Sequence, residues 1–186
     1  VVTSDELLDS DILYKRLVII GGGVIGMEFA SIYNALGTEV TVIEALDRIL
    51  ANMDKEFSQS LRMLSKKRGI DIHTSSLVKE IRKGDGGNLI CVYEEKEKQL
   101  EAEADCILVA TGRCANTEGL FGEHIDVAME KGKILVDENF RTNIPGIYAA
   151  GDVIGGIQLA HAASAEAINA VCHMNGEPFA KNTQVI

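Results

Sequence analysis

The sequence predicts an α/β fold that combines a βαβ unit and a parallel sheet with an antiparallel β-meander. A short apolar run rich in β-branched residues, 17–20, is typical of a buried parallel strand. Glycines follow it at once, and residues 24–36 then have the apolar spacing of a helix. A second strand is predicted at 39–43, whereas short alternating segments around a glycine-rich turn within 77–100 indicate antiparallel strands.

The first elements carry recognisable start and stop signals. Thr3 precedes Glu6 by three residues, which resembles a capping box and predicts a short helical turn through Leu8. The helix at 24–36 is followed by Gly37, a residue typical of helix C-termini because it accepts a left-handed backbone. The apolar face of that helix is expected to contain Ile25, Phe29, Ile32 and Leu36.

Helices and strands continue to alternate along the next part of the chain. An amphipathic helix is predicted at 54–68, with Asp54 as its N-cap and three cations in its last turn, where they suit the helix dipole. Gly69 ends this helix. The strands expected after it are residues 70–73, the meander within 77–100, and 105–110.

The pattern becomes irregular after Thr111. Loops with few periodic positions dominate this second region, and its longest regular segment is a helix of small residues. The elements predicted here are a strand pair near 125–128 and 134–136, a strand at 146–150 and a helix at 160–175.

Composition and charge exclude several classes of function. The chain has 186 residues and a net charge of −10, which argues against binding to nucleic acid or to an anionic membrane. It has no apolar run of about 18 residues, the length that a membrane-spanning helix needs, and its acidic, polar first ten residues are not expected to act as a signal peptide. Its four cysteines form no C-x-x-C pair and no metal-ligand spacing; Cys106 is expected in the core and Cys114 near the surface. A reduced, cytoplasmic setting is therefore expected.

The glycine-rich turn has the spacing of a Rossmann-like dinucleotide-binding motif. Gly21 would allow the tight turn from strand to helix, Gly23 would let a pyrophosphate approach the backbone, and Gly26 would let the helix pack closely on the strand. The first helical residues, Val24 and Ile25, complete the predicted site because a helix N-terminus offers free N–H groups to phosphate.

Glu44 follows the second strand, where an acidic residue is expected to accept hydrogen bonds from the adenosine ribose hydroxyls. A carboxylate there would repel a 2′-phosphate, so the predicted cofactor is NAD and not NADP. Arg48 is the one nearby cation, and Asp47 stands beside it. The alternative for Glu44 is a solvated charge at the end of a strand.

Further segments extend the pattern beyond this motif. The strand ending in Thr111-Gly112 and the segment ending in Gly151-Asp152 each close on a turn of small residues. With these segments the chain resembles the pyridine nucleotide–disulfide oxidoreductases and, within that family, is most similar to the dihydrolipoyl dehydrogenases. The matching stretches are GGGVIGMEFA, VTVIEALDRIL, ILVATGRCANTEGL, FRTNIPGIYAAGDV and LAHAASAEA.

The resemblance implies an NAD domain inserted into a flavin domain. It divides the chain into a linker or short helical turn at 1–14, an NAD-binding domain at 15–110 and, at 111–186, the incomplete C-terminal portion of an FAD-binding domain. The NAD-contacting residue that it adds is Glu28, near the nicotinamide carboxamide; those implied near FAD are Gly112, Gly151, Asp152, Ala160 and His161. Three of these residues have plainer alternatives, namely a solvated Glu28, a turn Asp152 and an unliganded His161.

The family reaction needs parts that do not occur in this sequence. It carries electrons from dihydrolipoyl thiols through a C-x-x-x-x-C disulfide and FAD to NAD, and this chain contains no such cysteine pair, no second G-x-G-x-x-G and no His-Pro. We therefore expect no catalytic residue and no metal site here, and a central piece of a longer polypeptide that is inactive alone, binding NAD weakly and FAD poorly.

The resemblance also implies partners, and it leaves alternatives open. The implied partners are the remainder of the same polypeptide, a lipoyl-type substrate and a second subunit of a homodimer. The alternatives are another NADH-linked flavin disulfide reductase or NADH oxidase, or an NAD-binding module without catalysis.

Overall fold

A computed structural model describes residues 1–180 and separates the chain into two compact units, one spanning Val1–Gly112 and one beginning at Arg113. The last six positions of the predicted 111–186 segment lie outside the described residues. The helices are α1 (Ser4–Leu8), α2 (Val24–Ala35), α3 (Lys55–Lys67) and α4 (Ala160–Met174). The strands are β1 (Arg16–Ile20), β2 (Glu39–Ile43), β3 (Asp71–His73), β4 (Ser76–Lys83), β5 (Leu89–Glu95), β6 (Lys98–Ala104), β7 (Cys106–Val109), β8 (Met129–Glu130) and β9 (Lys133–Ile134).

The first unit is built on a four-stranded parallel sheet in the order β3-β2-β1-β7. The central strand β1 is buried on both faces because its apolar side chains alternate between two cores. Leu17 and Ile19 pack against the helices, and Val18 packs with Ile107 against the meander. An uninterrupted apolar run is therefore the pattern that this strand requires, as predicted.

The antiparallel meander β4-β5-β6 covers the second face of the sheet. Its buried residues Cys91, Tyr93 and Ala104 pack against the sheet residues Val18 and Ile107. The meander predicted within 77–100 is confirmed, and it runs a few residues further, to the end of β6.

The local signals of the helices are confirmed in most respects. Thr3 and Glu6 form a reciprocal capping box at α1. Gly37 follows α2 with φ of +94°, and Gly69 follows α3 with φ of +89°. Asp54 stands at the N-cap position of α3, although its side chain makes no capping hydrogen bond among the described residues.

The buried face of α2 agrees only in part with the predicted one. Ile32 and Leu36 are exposed, at 53% and 59%. The helix instead packs through a stripe that includes Gly26, Ala30 and Tyr33. Phe29 is buried and Ile25 packs partly buried against the same core, so the predicted face is confirmed for these two residues and wrong for Ile32 and Leu36.

Two predicted strands of the second unit are corrected. The strand pair lies closer to its turn than predicted: β8 follows the predicted 125–128, and β9 overlaps the predicted 134–136 only at Ile134, because Lys131 and Gly132 form a tight turn with positive φ. The predicted strand at 146–150 is wrong. In the described residues this segment makes only one isolated bridge, between Arg141 and Tyr148, so its extended backbone lacks the ladder that defines a strand. The helix predicted at 160–175 is confirmed as α4, capped by Asn175.

Candidate functional site

The turn between β1 and α2 gives each predicted glycine a distinct environment. Gly21 has φ of +113°, and a Cβ there would lie 2.3 Å from the Ala110 carbonyl oxygen. A Cβ on Gly26 would lie 2.0 Å from the Gly21 carbonyl oxygen. A Cβ on Gly23 would meet nothing within 4 Å. Two glycines are therefore required by the fold, and the third leaves open space at the helix end.

The N-terminus of α2 opens onto that space. Gly23 is its N-cap, with an extended backbone and no side chain to accept a capping hydrogen bond. The first hydrogen bond of the helix runs from the Met27 N–H to the Gly23 carbonyl, 3.0 Å. The N–H groups of Val24 and Ile25 precede it and have no partner within the helix. This arrangement offers donors and the positive end of a helix dipole to an anion.

Glu44 lies beside the glycine turn and is half-buried. Its Oε2 accepts a hydrogen bond from the Gly22 N–H at 2.6 Å, and its Oε1 accepts one from the Leu46 N–H at 2.7 Å. The carboxylate is thus held against the turn by backbone donors. Its binding to a ribose stays a prediction, as does the contact of the exposed Glu28 with a nicotinamide.

The predicted flavin residues occupy the second unit, apart from Gly112, which closes the first unit with φ of +134°. Gly151 is buried with φ of +80°, and Asp152 is exposed in the 3₁₀ turn Gly151–Ile154. Ala160 and His161 are both exposed in the first turn of α4.

Glu166 fixes the Gly-Asp turn and received no role from the sequence. Its Oε2 accepts a hydrogen bond from the Gly151 N–H at 2.7 Å. A Cβ on Gly151 would also lie 3.1 Å from the Cβ of Ala163, so α4 and the turn are in close contact. The signal was available, because Glu166 lies in the stretch LAHAASAEA that carried part of the resemblance.

The segment after Glu44 also escaped the sequence analysis. The Leu50 N–H donates to the Gly22 carbonyl at 2.8 Å. Ile49 is fully buried, and its Cγ2 would lie 2.8 Å from a Cβ on Gly22. Gly22 was an unspecified position of the motif, yet this neighbour requires it to be glycine.

His73 was assigned no role and stands at the junction of the sheet and the meander. Its Nδ1 lies 2.8 Å from Glu95 Oε2, and its Nε2 lies 2.9 Å from Asp71 Oδ2. The Tyr93 hydroxyl is 3.3 Å from the same Nε2. Burial, together with the charges of Asp71 and Glu95, raises the pKa of Tyr93, so this hydroxyl stays neutral. The cluster ties β3 to β5.

The cysteines have the surroundings expected from the sequence where these were specified. Cys106 is buried and Cys114 is exposed, and all four cysteines are free. Burial raises the pKa of the Cys91 thiol to about 11. Across residues 1–180 no group of three or more His, Cys, Asp or Glu could hold a metal ion. No helix in the same range is long and apolar enough to cross a membrane.

The first unit has a parallel sheet with β1 in its interior, and helices cover one face of that sheet. A glycine-rich turn leads from β1 into α2. This arrangement defines a Rossmann-like α/β protein. A model of the pyridine nucleotide-disulphide oxidoreductase family matches residues 1–167. The chain therefore belongs to that family.

Curated relatives carry dihydrolipoyl dehydrogenase names. The chain is 44% identical over 177 residues to a dihydrolipoyl dehydrogenase of Bacillus subtilis, covering 95% of this chain and 37% of that protein. It is 42% identical over 174 residues to one of Acholeplasma laidlawii, covering 94% and 50%. The chain thus spans half or less of the length of these relatives.

Two solved structures have the same fold over nearly the whole chain. LpdA from Mycobacterium tuberculosis superposes with a TM-score of 0.86 at 28% identity, covering 97% of this chain and 39% of that one. The HOCl-induced flavoprotein disulfide reductase RclA from Escherichia coli gives 0.83 at 30% identity, covering 98% and 41%.

Proposed function

We propose that this chain is the NAD(H)-binding segment of an FAD-dependent disulfide oxidoreductase that oxidises dihydrolipoyl thiols. The observation that carries the proposal is the open helix end at Gly23 beside the anchored carboxylate of Glu44. The relatives named dihydrolipoyl dehydrogenase support the substrate class.

Within this proposal, residues 15–110 bind NAD and residues 111–186 contribute to an FAD site. Gly21 and Gly26 shape the turn, and Gly23 leaves space for the diphosphate, which the N–H groups of Val24 and Ile25 hold. Glu44 binds the adenosine ribose and Glu28 lies near the nicotinamide. The residues proposed on the flavin side are Gly112, Gly151, Asp152, Ala160 and His161.

The residues of this chain bind and orient, and none is assigned a catalytic role. When bound, FAD and NAD supply the electron transfer and the hydride acceptor of the reaction. The backbone donors at α2 fix the diphosphate at the centre of the dinucleotide, and Glu44 fixes the adenosine ribose. The proposed partners are the remaining polypeptide of the enzyme, a lipoyl-type substrate and a second subunit. A reduced, cytoplasmic location is part of the same proposal.

Titration of the chain with NADH and with NADPH tests the cofactor. Glu44→Ala is expected to weaken NADH binding by about 1.5–3 kcal/mol, because it removes charge-assisted hydrogen bonds. That corresponds to roughly tenfold to a hundredfold in Kd. NADPH binding should fall less, since its 2′-phosphate loses a repulsive neighbour. Glu39→Ala, at the opposite end of β2, is the control. An unchanged NADH affinity in Glu44→Ala would remove this carboxylate from the site.

Another NADH-linked flavin disulfide reductase is the second candidate, favoured by the structural match to RclA. The two candidates differ in the disulfide substrate and share the cofactor site. An assay of the enzyme that contains this segment, with NAD and dihydrolipoamide, separates them. Reduction of NAD by dihydrolipoamide supports the dihydrolipoyl dehydrogenase hypothesis. NADH oxidation by other disulfides, without NADH oxidation by lipoamide, supports the second candidate.

A further inference from the structure

The segment 44–50, which we call the strap, folds over the glycine turn and is bonded to it from both ends. At its start, Glu44 accepts hydrogen bonds from the N–H groups of Gly22 and Leu46 at 2.6 and 2.7 Å. At its end, the Leu50 N–H donates to the Gly22 carbonyl at 2.8 Å. Both backbone groups of Gly22 are therefore engaged by the strap.

Ile49 packs the strap against the turn. Its side chain is 0% exposed. Its Cγ2 lies so close to Gly22 that a Cβ there would be 2.8 Å away. Movement of Ile49 would therefore move Gly22, whose N–H donates to the Glu44 carboxylate.

A buried serine fixes Ile49 in turn. The Ser58 hydroxyl, on α3, donates to the Ile49 carbonyl at 2.6 Å. Ser58 is 2% exposed and lies on the buried side of its helix. A polar side chain so deeply buried destabilises the fold unless it makes a hydrogen bond. This bond is the one by which the Ser58 side chain reaches the strap.

The strap also contains an unusual backbone conformation. Leu50 has φ of +49°, a region that non-glycine residues rarely adopt and that persists only where the surroundings hold it. The surroundings here are the Gly22 carbonyl on one side and the Ser58–Ile49 bond one residue before. The strap is thus held in one arrangement by contacts on either side of Leu50.

We propose that Ser58 is a positioning residue for nucleotide selection. Resting on the proposed function, it acts through Ile49 and Gly22 to hold the Glu44 carboxylate in its ribose-binding position before the nucleotide arrives. A carboxylate that is already oriented loses little conformational freedom on binding, which strengthens binding of the unphosphorylated ribose. Ser58 therefore sets the preference for NADH over NADPH without touching either nucleotide.

Ser58→Ala in the full chain tests this proposal by titration with NADH and NADPH. The substitution removes the neutral hydrogen bond from Ser58 to the Ile49 carbonyl. This loss should raise the Kd for NADH about threefold to tenfold. The Kd for NADPH should change less, so the NADPH-to-NADH ratio of Kd falls. Ser65→Ala is the matched control, because Ser65 is a second buried serine on the same helix, 5% exposed and remote from the strap. It should leave the ratio unchanged.

The same substitution in a Glu44→Ala background decides whether Ser58 acts through Glu44. In that background Ser58→Ala should have no further effect on NADH binding. An equal loss in both backgrounds, or an unchanged ratio in Ser58→Ala, would overturn the proposal. If Ser58→Ala does not fold, the near-isosteric Ser58→Cys, a weaker donor, should give a smaller change in the same direction, and no change there would also overturn it. If Glu44→Ala itself leaves NADH binding intact, the proposed function fails first.

Discussion

At the scale of single residues, the glycines of the turn have different surroundings. Gly21 and Gly26 are required by backbone oxygens, and Gly22 by the side chain of Ile49. Gly23 has no neighbour within 4 Å of a hypothetical Cβ. The G-x-G-x-x-G spacing therefore combines positions that the fold requires with one position, Gly23, that leaves open space where the diphosphate is proposed to bind, and substitution can separate the two.

Gly26→Ala and Gly23→Ala are expected to fail in different ways. The first puts a methyl group 2.0 Å from a backbone oxygen, so α2 must shift, at a cost of about 3 kcal/mol in the free energy of unfolding. The second changes only an N-cap, at about 1 kcal/mol or less, yet its methyl group occupies the proposed diphosphate space. Denaturant unfolding and NADH titration of both variants check this. A stable Gly23→Ala chain with normal NADH affinity would contradict it.

At the scale of elements, hydrogen-bond ladders and packing decided what local pattern could not. The segment 146–150 has the composition of a strand, but in the described residues only one bridge pairs it. The apolar residues Ile32 and Leu36 of the α2 region are exposed, whereas Phe29 and Tyr33 are buried. Short turns, in contrast, are fixed by hydrogen bonds between neighbouring residues, as at Asp137.

The turn after β9 is held by one carboxylate. Asp137 accepts hydrogen bonds from the backbone N–H groups of Asn139 and Arg141 and from the Arg141 guanidinium. The Arg141 backbone N–H and then its side chain hold the pKa of Asp137 at about 2, below the ordinary 3.8. Because the pKa is depressed in the folded state, the stabilisation is present above pH 3.8 and is lost as the pH falls through 2.

Removal of the guanidinium should reveal how much of this shift the backbone supplies. In Arg141→Gln the backbone N–H remains, so the pKa of Asp137 should rise but stay below 3.8. An NMR titration of the Asp137 carboxyl carbon in both proteins measures it. Arg82→Gln, which removes a different exposed ion pair, is the control. An unchanged midpoint in Arg141→Gln would show that the side chain contributes nothing.

At the scale of the whole molecule, the apolar core is unevenly shared. The first unit contains both hydrophobic clusters, one on each face of the parallel sheet. The buried apolar residues of the second unit that the structure describes are Val127, Ile134, Ala162 and Ala170. Stability is therefore expected to differ between the units, since burial of apolar surface supplies most of the driving force for folding.

Hydrogen exchange should show this difference directly. Backbone amides of β1, β2 and β7 are expected to exchange most slowly, because they pair with each other between two cores. Amides of α4 should exchange faster by about tenfold or more, the factor that a difference of roughly 1.4 kcal/mol in opening free energy produces. Exchange followed by mass spectrometry measures both in one sample. Equal protection of α4 and β1 would contradict the expectation.

The sequence by itself determined the βαβ unit, the meander, the capping box of α1 and the position of Gly21, Gly23 and Gly26 in the turn between β1 and α2. These features can be predicted from short stretches of sequence, because apolar runs, capping residues and glycine spacing act within a few positions of the chain. The family followed from the same signals taken together, and the match over residues 1–167 confirms it.

The tertiary structure alone decided which face of α2 is buried, which extended segments become strands, and what holds Glu44 in place. Gly22, Ile49 and Ser58 meet through contacts between residues from three separate segments, and no local pattern marks such a meeting. Packing brings them together because close approach depends on the shapes of both partners, whereas sequence periodicity describes only one.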